Sequence, residues 1–172
     1  MTKYVGIGAF ILLGIIVSFF TVSNRSVLKF NDATIDEVTA VDSQFEKITK
    51  IMEDYSGKKN VDADLLAKEI TTAEGEMSRI FAKIETVKVP DSELCRDFHG
   101  GVLNYTKNSL VIMSVYKDKV LPYVKLHNPA SEKDSSAVED MLSESIAEDE
   151  RLLAELSAAQ AAMAKKYKFK LE

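Results

Sequence analysis

The sequence predicts an all-α chain in which an N-terminal transmembrane helix is followed by an antiparallel, up-down-up-down four-helix bundle. Three observations carry this reading. No acidic or basic side chain lies between Lys3 and Arg25, apolar residues beyond that point recur at alternating steps of three and four, and the periodic stretches are joined by a few polar residues. The 172 residues divide accordingly into a membrane segment, 1-25, and a helical-bundle domain, 26-172, that closes in a short basic and aromatic tail.

The first element is the run from Tyr4 to Asn24, YVGIGAFILLGIIVSFFTVSN. As a helix it would measure roughly 31 Å at about 1.5 Å per residue, the thickness of a hydrocarbon core. A cleaved leader would have a shorter apolar stretch ending in small residues, whereas Phe19, Phe20 and Val22 stand at that place. An uncleaved signal anchor in a single-pass protein of the cell membrane is therefore expected, with the bilayer as partner through residues 4-24. Lys3 on one side is nearly balanced by Arg25 and Lys29 on the other, so orientation rests on the short leading tail, which favours an extracytoplasmic, periplasmic domain. Gly14 and Ser18 have the small-xxx-small spacing that seats a neighbouring helix, a spacing that also arises by chance in apolar segments.

Four amphipathic stretches follow. Val38, Val41, Phe45, Ile48, Met52 and Tyr55 form the first stripe, which Ser56-Gly57 ends. Leu66, Ile70, Ala73, Met77, Ile80, Ile84 and Val87 form the second, with Asp62 as its N-cap and Pro90 as its stop. The third begins near Asp91 and Ser92 and runs through Leu94, Phe98, Val102, Tyr105, Ile112, Tyr116, Val120 and Tyr123. Gly100-Gly101 and Pro122 interrupt it, and a bend is expected at one of them. Asn128-Pro129 closes it, after which Ser131 and Asp134 have the spacing of a capping box. The last helix is predicted from about Glu132 to Tyr167, with Val138, Leu142, Ile146, Leu152, Leu156, Ala159 and Met163 inward, an acidic first half and Lys165, Lys166 and Lys168 at its end. If the four alternate in direction, the tail Lys165 to Leu171 finishes beside the membrane, its lysines facing lipid headgroups and Tyr167, Phe169 and Leu171 entering the interface.

Chemistry is sparse. A net charge of −5 without a dense basic run argues against nucleic acid as a partner. Cys95 and His99 lie one turn apart, but zinc takes three or four ligands and the other histidine, His127, is roughly 42 Å away along a straight helix. Neither histidine has a glutamate three positions before it, as a di-iron bundle would need, and there is no Cys-x-x-Cys-His, Gly-x-Ser-x-Gly, His-Glu-x-x-His or phosphate-loop pattern. No catalytic, cofactor-binding or metal residue is assigned, and a non-enzymatic protein without a cofactor is expected. Tyr105, Tyr116 and Tyr123 form an aromatic seam that is either core or one wall of a ligand cleft. Asn24-Arg25-Ser26 and Asn104-Tyr105-Thr106 match the glycosylation pattern, the second within a helix.

In layout the chain resembles membrane-anchored helical proteins of the bacterial LemA type and the four-helix sensor domains of chemoreceptors. It departs from the first in lacking a Trp and the Arg-Arg and Leu-Ile-Pro-Asn-Leu run, and from the second in lacking another apolar span and a signalling region, so neither family is assigned. The expected function is that of an accessory or scaffold subunit of a cell-envelope membrane complex, contacting a membrane-protein partner or a second copy of itself. The alternative is a sensor-like module that holds a small molecule between helices.

Overall fold

The computed structural model describes residues 22-169, with side chains from residue 25 onward, and among these residues the chain is helical without strands. Most of the expected membrane segment, residues 4-21, lies outside the described residues, as do Lys170 and Leu171 of the tail. No helix among the described residues is long and apolar enough to cross a membrane.

Four rods make the bundle. The first is α1 (Val22–Ser43) continued by α2 (Glu46–Ser56), and the second is α3 (Ala63–Glu85). The third consists of α4 (Glu93–Val115), a π-helical turn (Tyr116–Val120) and α5 (Leu121–Leu126), and the fourth is α6 (Glu132–Tyr167). Cross-links give their directions. Glu37 pairs with Lys83 and Lys47 with Glu69, so the first two rods run opposite ways. His99 meets Ile84 while Lys117 meets Glu74, and Cys95 meets Met163 while Tyr123 meets Asp134, so the third rod opposes both the second and the fourth.

The expected stripes are the core. Val38, Val41, Ile48, Leu66, Ile70, Met77, Ile84, Phe98, Val102, Val120, Val138 and Met163 are fully buried, while Ile146 and Ala159 are only partly so. On the third rod the stripe starts at Cys95 rather than Leu94. The first rod differs more from expectation. It is already helical at Val22, and Val27, Phe30 and Ile35 join the core ahead of Val38. It also breaks after Ser43, where the Ser43 hydroxyl and the Gln44 amide both donate to the Ala40 carbonyl, at 2.8 and 3.0 Å. The Gln44 and Phe45 N–H groups bond only three residues back, to Val41 and Asp42, which tightens the turn to the 3₁₀ type before helix resumes with Thr49 N–H on Phe45.

Ends and irregularities follow local chemistry. The Asp62 carboxylate accepts the Asp64 and Leu65 N–H groups at 2.9 and 3.0 Å, capping α3. Ser131 and Asp134 make a reciprocal capping box at the start of α6, and α6 ends at Lys168 in the left-handed region, φ 56°. The irregularity on the third rod belongs to Pro122 and not to the glycines. Leu121 N–H reaches back five residues to the Tyr116 carbonyl, a π-turn that accommodates a proline with no N–H of its own. Helix α4 is uninterrupted through Gly100-Gly101. A Cβ on Gly101 would meet the Leu156 side chain at 3.5 Å, whereas one on Gly100 would meet nothing within 4 Å.

Two stability outcomes follow. Ile80→Ala empties a site that is 2% exposed and should cost about 2–5 kcal/mol, while Lys50→Ala on the exposed face should change little. Gly100→Ala should instead stabilise by about 0.5–1 kcal/mol, because it raises helix propensity where there is open space. Urea midpoints of the three variants check both statements, and a destabilised Gly100→Ala would show that α4 needs a glycine there.

Candidate functional site

A polar layer crosses the bundle between α1, α4 and α6, at the level where the first rod breaks. Tyr105, almost wholly buried, donates its hydroxyl to Asp42 Oδ1 at 2.5 Å. One helical turn further on, the Asn108 amide donates to Asp149 Oδ1 at 3.1 Å and to the Ser145 carbonyl at 3.2 Å. Asp42 and Asp149 are both half-buried and close enough to repel one another. Thr106 and Ser109 on the same face satisfy themselves, donating to the Val102 and Tyr105 carbonyls of their own helix.

Electrostatics here are set by burial. Loss of solvent pushes Asp149 up to about 6, Asp42 and Glu150 add to the shift, and the Asn108 hydrogen bond opposes it. Burial likewise raises Asp42 above the usual carboxylate range, against the hydrogen bond from Tyr105. Tyr105 itself is pushed well above the ordinary phenol value by burial and by the Asp149 and Asp42 charges, so its hydroxyl remains a donor. The layer can therefore take up a proton in mildly acidic conditions.

A second polar contact joins α1 to α6 nearer the chain ends. The Gln160 amide donates to Asn31 Oδ1 at 2.9 Å, and Gln160 Oε1, buried, has no hydrogen-bond partner among the described residues. Beside it Phe30 packs edge-on against Phe98, with ring centres 5.9 Å apart.

The residues weighed as metal ligands are brought to different places. Cys95 is buried with its Sγ 3.7 Å from Met163 Sδ on α6, and burial raises its thiol above the usual value. His99 donates from Nε2 to the Ile84 carbonyl at 2.9 Å, which caps the end of α3. His127 stacks on Tyr123 at the opposite end of the bundle, with ring centres 4.3 Å apart and Nδ1 3.3 Å from Asp134. Among the described residues no group of three or more His, Cys, Asp or Glu side chains could hold a metal ion. The tyrosine seam is part of the fold: Tyr105 and Tyr116 are buried, and Tyr123 donates to Asp134 at 2.8 Å. Of the glycosylation pattern at 104-106, Thr106 is fully buried inside α4.

That opposite end is tied down by a set of long-range bonds. Tyr55 donates to the His127 carbonyl at 2.9 Å, and Asn128 uses both ends of its amide on Val61, accepting its N–H at 3.0 Å and donating to its carbonyl at 2.7 Å. The Asn128-Pro129 bond is cis. Hydrogen bonds from the Ser131 hydroxyl and N–H and from Tyr123 pull Asp134 down to about 2. Two apolar side chains remain outside this knot, Leu126 at 81% exposed and Leu65 at 43%. Their chain neighbours Lys125 and Asp64 approach to 3.7 Å, so the two leucines sit on adjoining rods.

Comparison with protein families, with curated proteins and with solved structures gives no match.

Asp149 gives a pH signature of defined sign. Its carboxylate titrates near the ordinary 3.8 when unfolded and near 6 in the bundle, so the cost of charging it is absent below about pH 4 and complete above about pH 6. Asp149→Asn keeps an acceptor for Asn108 and should stabilise the bundle by about 1–2 kcal/mol at pH 7, partial exposure allowed for, with little gain at pH 4. Urea titrations at the two pH values measure the difference, and an equal gain at both would refute the assignment.

Proposed function

We propose that this chain is a non-enzymatic accessory or scaffold subunit of a cell-envelope membrane complex: a single-pass protein whose residues 4-24 anchor an up-down-up-down helical bundle on the extracytoplasmic side, and whose far end contacts a membrane-protein partner or a second copy of the chain. The observation that carries the reading is the construction of that far end. Leu126 and Leu65 stand exposed on a surface whose loops are fixed by Tyr55, Asn128, Tyr123 and the Ser131-Asp134 box. Apolar groups held outward on rigid backbone suit protein recognition, because little conformational entropy is lost on docking. In contrast, the side chains that would line a ligand cleft are engaged with the bundle itself, Tyr105 with Asp42 and Tyr123 with Asp134. This weighs against the small-molecule alternative. The anchor is supported by the uncharged run Tyr4 to Asn24.

A photo-crosslinking residue at position 126 of the full chain in native membranes should give one discrete adduct, while the same group at the exposed Glu139 should not. Leu126→Glu should abolish partner recovery while leaving the urea midpoint within about 0.5 kcal/mol of the parent. Equal crosslinking at both positions, or none at 126, would count against the scaffold reading.

A further inference from the structure

We propose that a basic collar at the chain-end pole of the bundle, made by Arg25, Lys29, Lys88, Lys165, Lys166 and Lys168, binds the anionic headgroups of the bilayer in which residues 4-24 are anchored. The inference rests on the anchored reading above.

Three separate segments bring these six residues to one pole. Gln160 meets Asn31 at 2.9 Å, so Arg25, six residues before Asn31, and Lys165, five residues beyond Gln160, project roughly 9 and 7.5 Å past that contact in the same direction. Tyr167 donates to Ser92 at 2.8 Å, which places the loop carrying Lys88 beside the end of α6. All six are exposed, and among the described residues none makes an ion pair. On the flanks of the bundle Lys83, Lys117 and Arg151 are paired to glutamate, whereas Lys50, Lys68, Lys107 and Lys119 stand singly, spread over three rods, so it is the gathering of six bases at one pole that marks the collar. The dipole of α6 accounts for Lys165 and Lys166 near its C-terminus, but not for Arg25 and Lys29, which lie on α1 far from its end at Ser43.

Spacing fits a headgroup layer. The apolar run ends at Val22, α1 is helical from that residue, and Val27 is already in the core, so about five residues or 7.5 Å separate the run from the packed bundle. Bases at that depth lie within a Debye length of lipid phosphates. The described part of the tail favours an electrostatic mode of contact. Tyr167 and Phe169 are half-buried against the core cluster, and the Phe169 N–H bonds back to the Ala164 carbonyl at 3.2 Å. Tyr167 and Phe169 thus pack partly onto the bundle while Lys165, Lys166 and Lys168 are exposed, which supports a contact led by charge.

The full chain is reconstituted in nanodiscs of phosphatidylcholine alone or mixed with phosphatidylglycerol, and lysine amines are pulse-acylated and located by mass spectrometry. In the anionic discs labelling of Lys29, Lys88, Lys165, Lys166 and Lys168 should slow by about threefold or more, and salt at about 1 M should restore it. Lys58 and Lys133, at the far pole, should label equally in both. Equal rates at the collar in the two disc types, or slowing as large at Lys133, would overturn the proposal. Release of the chain from both discs by an alkaline wash would overturn the anchor instead. The same labelling on anionic vesicles then judges the collar by itself, with protection supporting it and equal rates overturning it.

Discussion

The third rod is packed against by each of the other three, and such a helix must bury a face much wider than one apolar stripe. On α4 the buried set includes Tyr105, Thr106, Asn108, Ser109, Ile112 and Met113, six of nine consecutive positions. A polar residue inside that set is tolerated only when hydrogen-bonded. Thr106 and Ser109 meet the condition through their own helix, and Asn108 and Tyr105 through neighbouring rods. At Gly101 α6 comes close enough that a Cβ would touch Leu156 at 3.5 Å, an ordinary packing distance.

The polar contacts fix which helices lie together and at what height. A purely apolar interior lets helices slide past one another at modest cost, whereas misplacing Asn108 by one turn would leave its amide without Asp149 and Ser145. Asn31 and Gln160 act in the same way one level nearer the chain ends. Layers of this kind lower the stability that an apolar core of equal size would reach, and Asp149, charged in a place that resists charge, is the plainest example.

Much of the fold was legible in the sequence. The three-four rhythm located all four rods, Asp62, Ser131 and Asp134 declared the caps where the structure has them, and of the two sites where a bend is expected, Gly100-Gly101 and Pro122, the structure uses the second. The start of the first rod was missed because Val27, Phe30 and Ile35 are separated by Asn31 and Thr34, which are themselves buried and blur the stripe. The polar layer left a signal that the apolar count passes over. The stripe on α4 skips a turn between Tyr105 and Ile112, and that on α6 skips one between Ile146 and Leu152; the residues in the two gaps, Asn108 and Asp149, bond to each other. Which gap faces which is a matter of register between distant segments, and no local pattern encodes it. The knot at the far end was hidden for the same reason, since Asn128 and Val61 meet across 67 residues of chain.

An even number of rods returns the chain to the pole it left. Among the described residues the opposite pole is built of the turns 57-62 and 127-131 and the helix ends beside them, while Val22 and Phe169 both lie at the other pole. A label carried on Lys168 would sit at the crowded pole beside Arg25 and Ser92, while the pole bearing Leu126 would stay unencumbered. Such a label is placed to report on the surroundings of the first helix, whereas one set at Leu126 or in the turns beside it reads out the other face of the molecule.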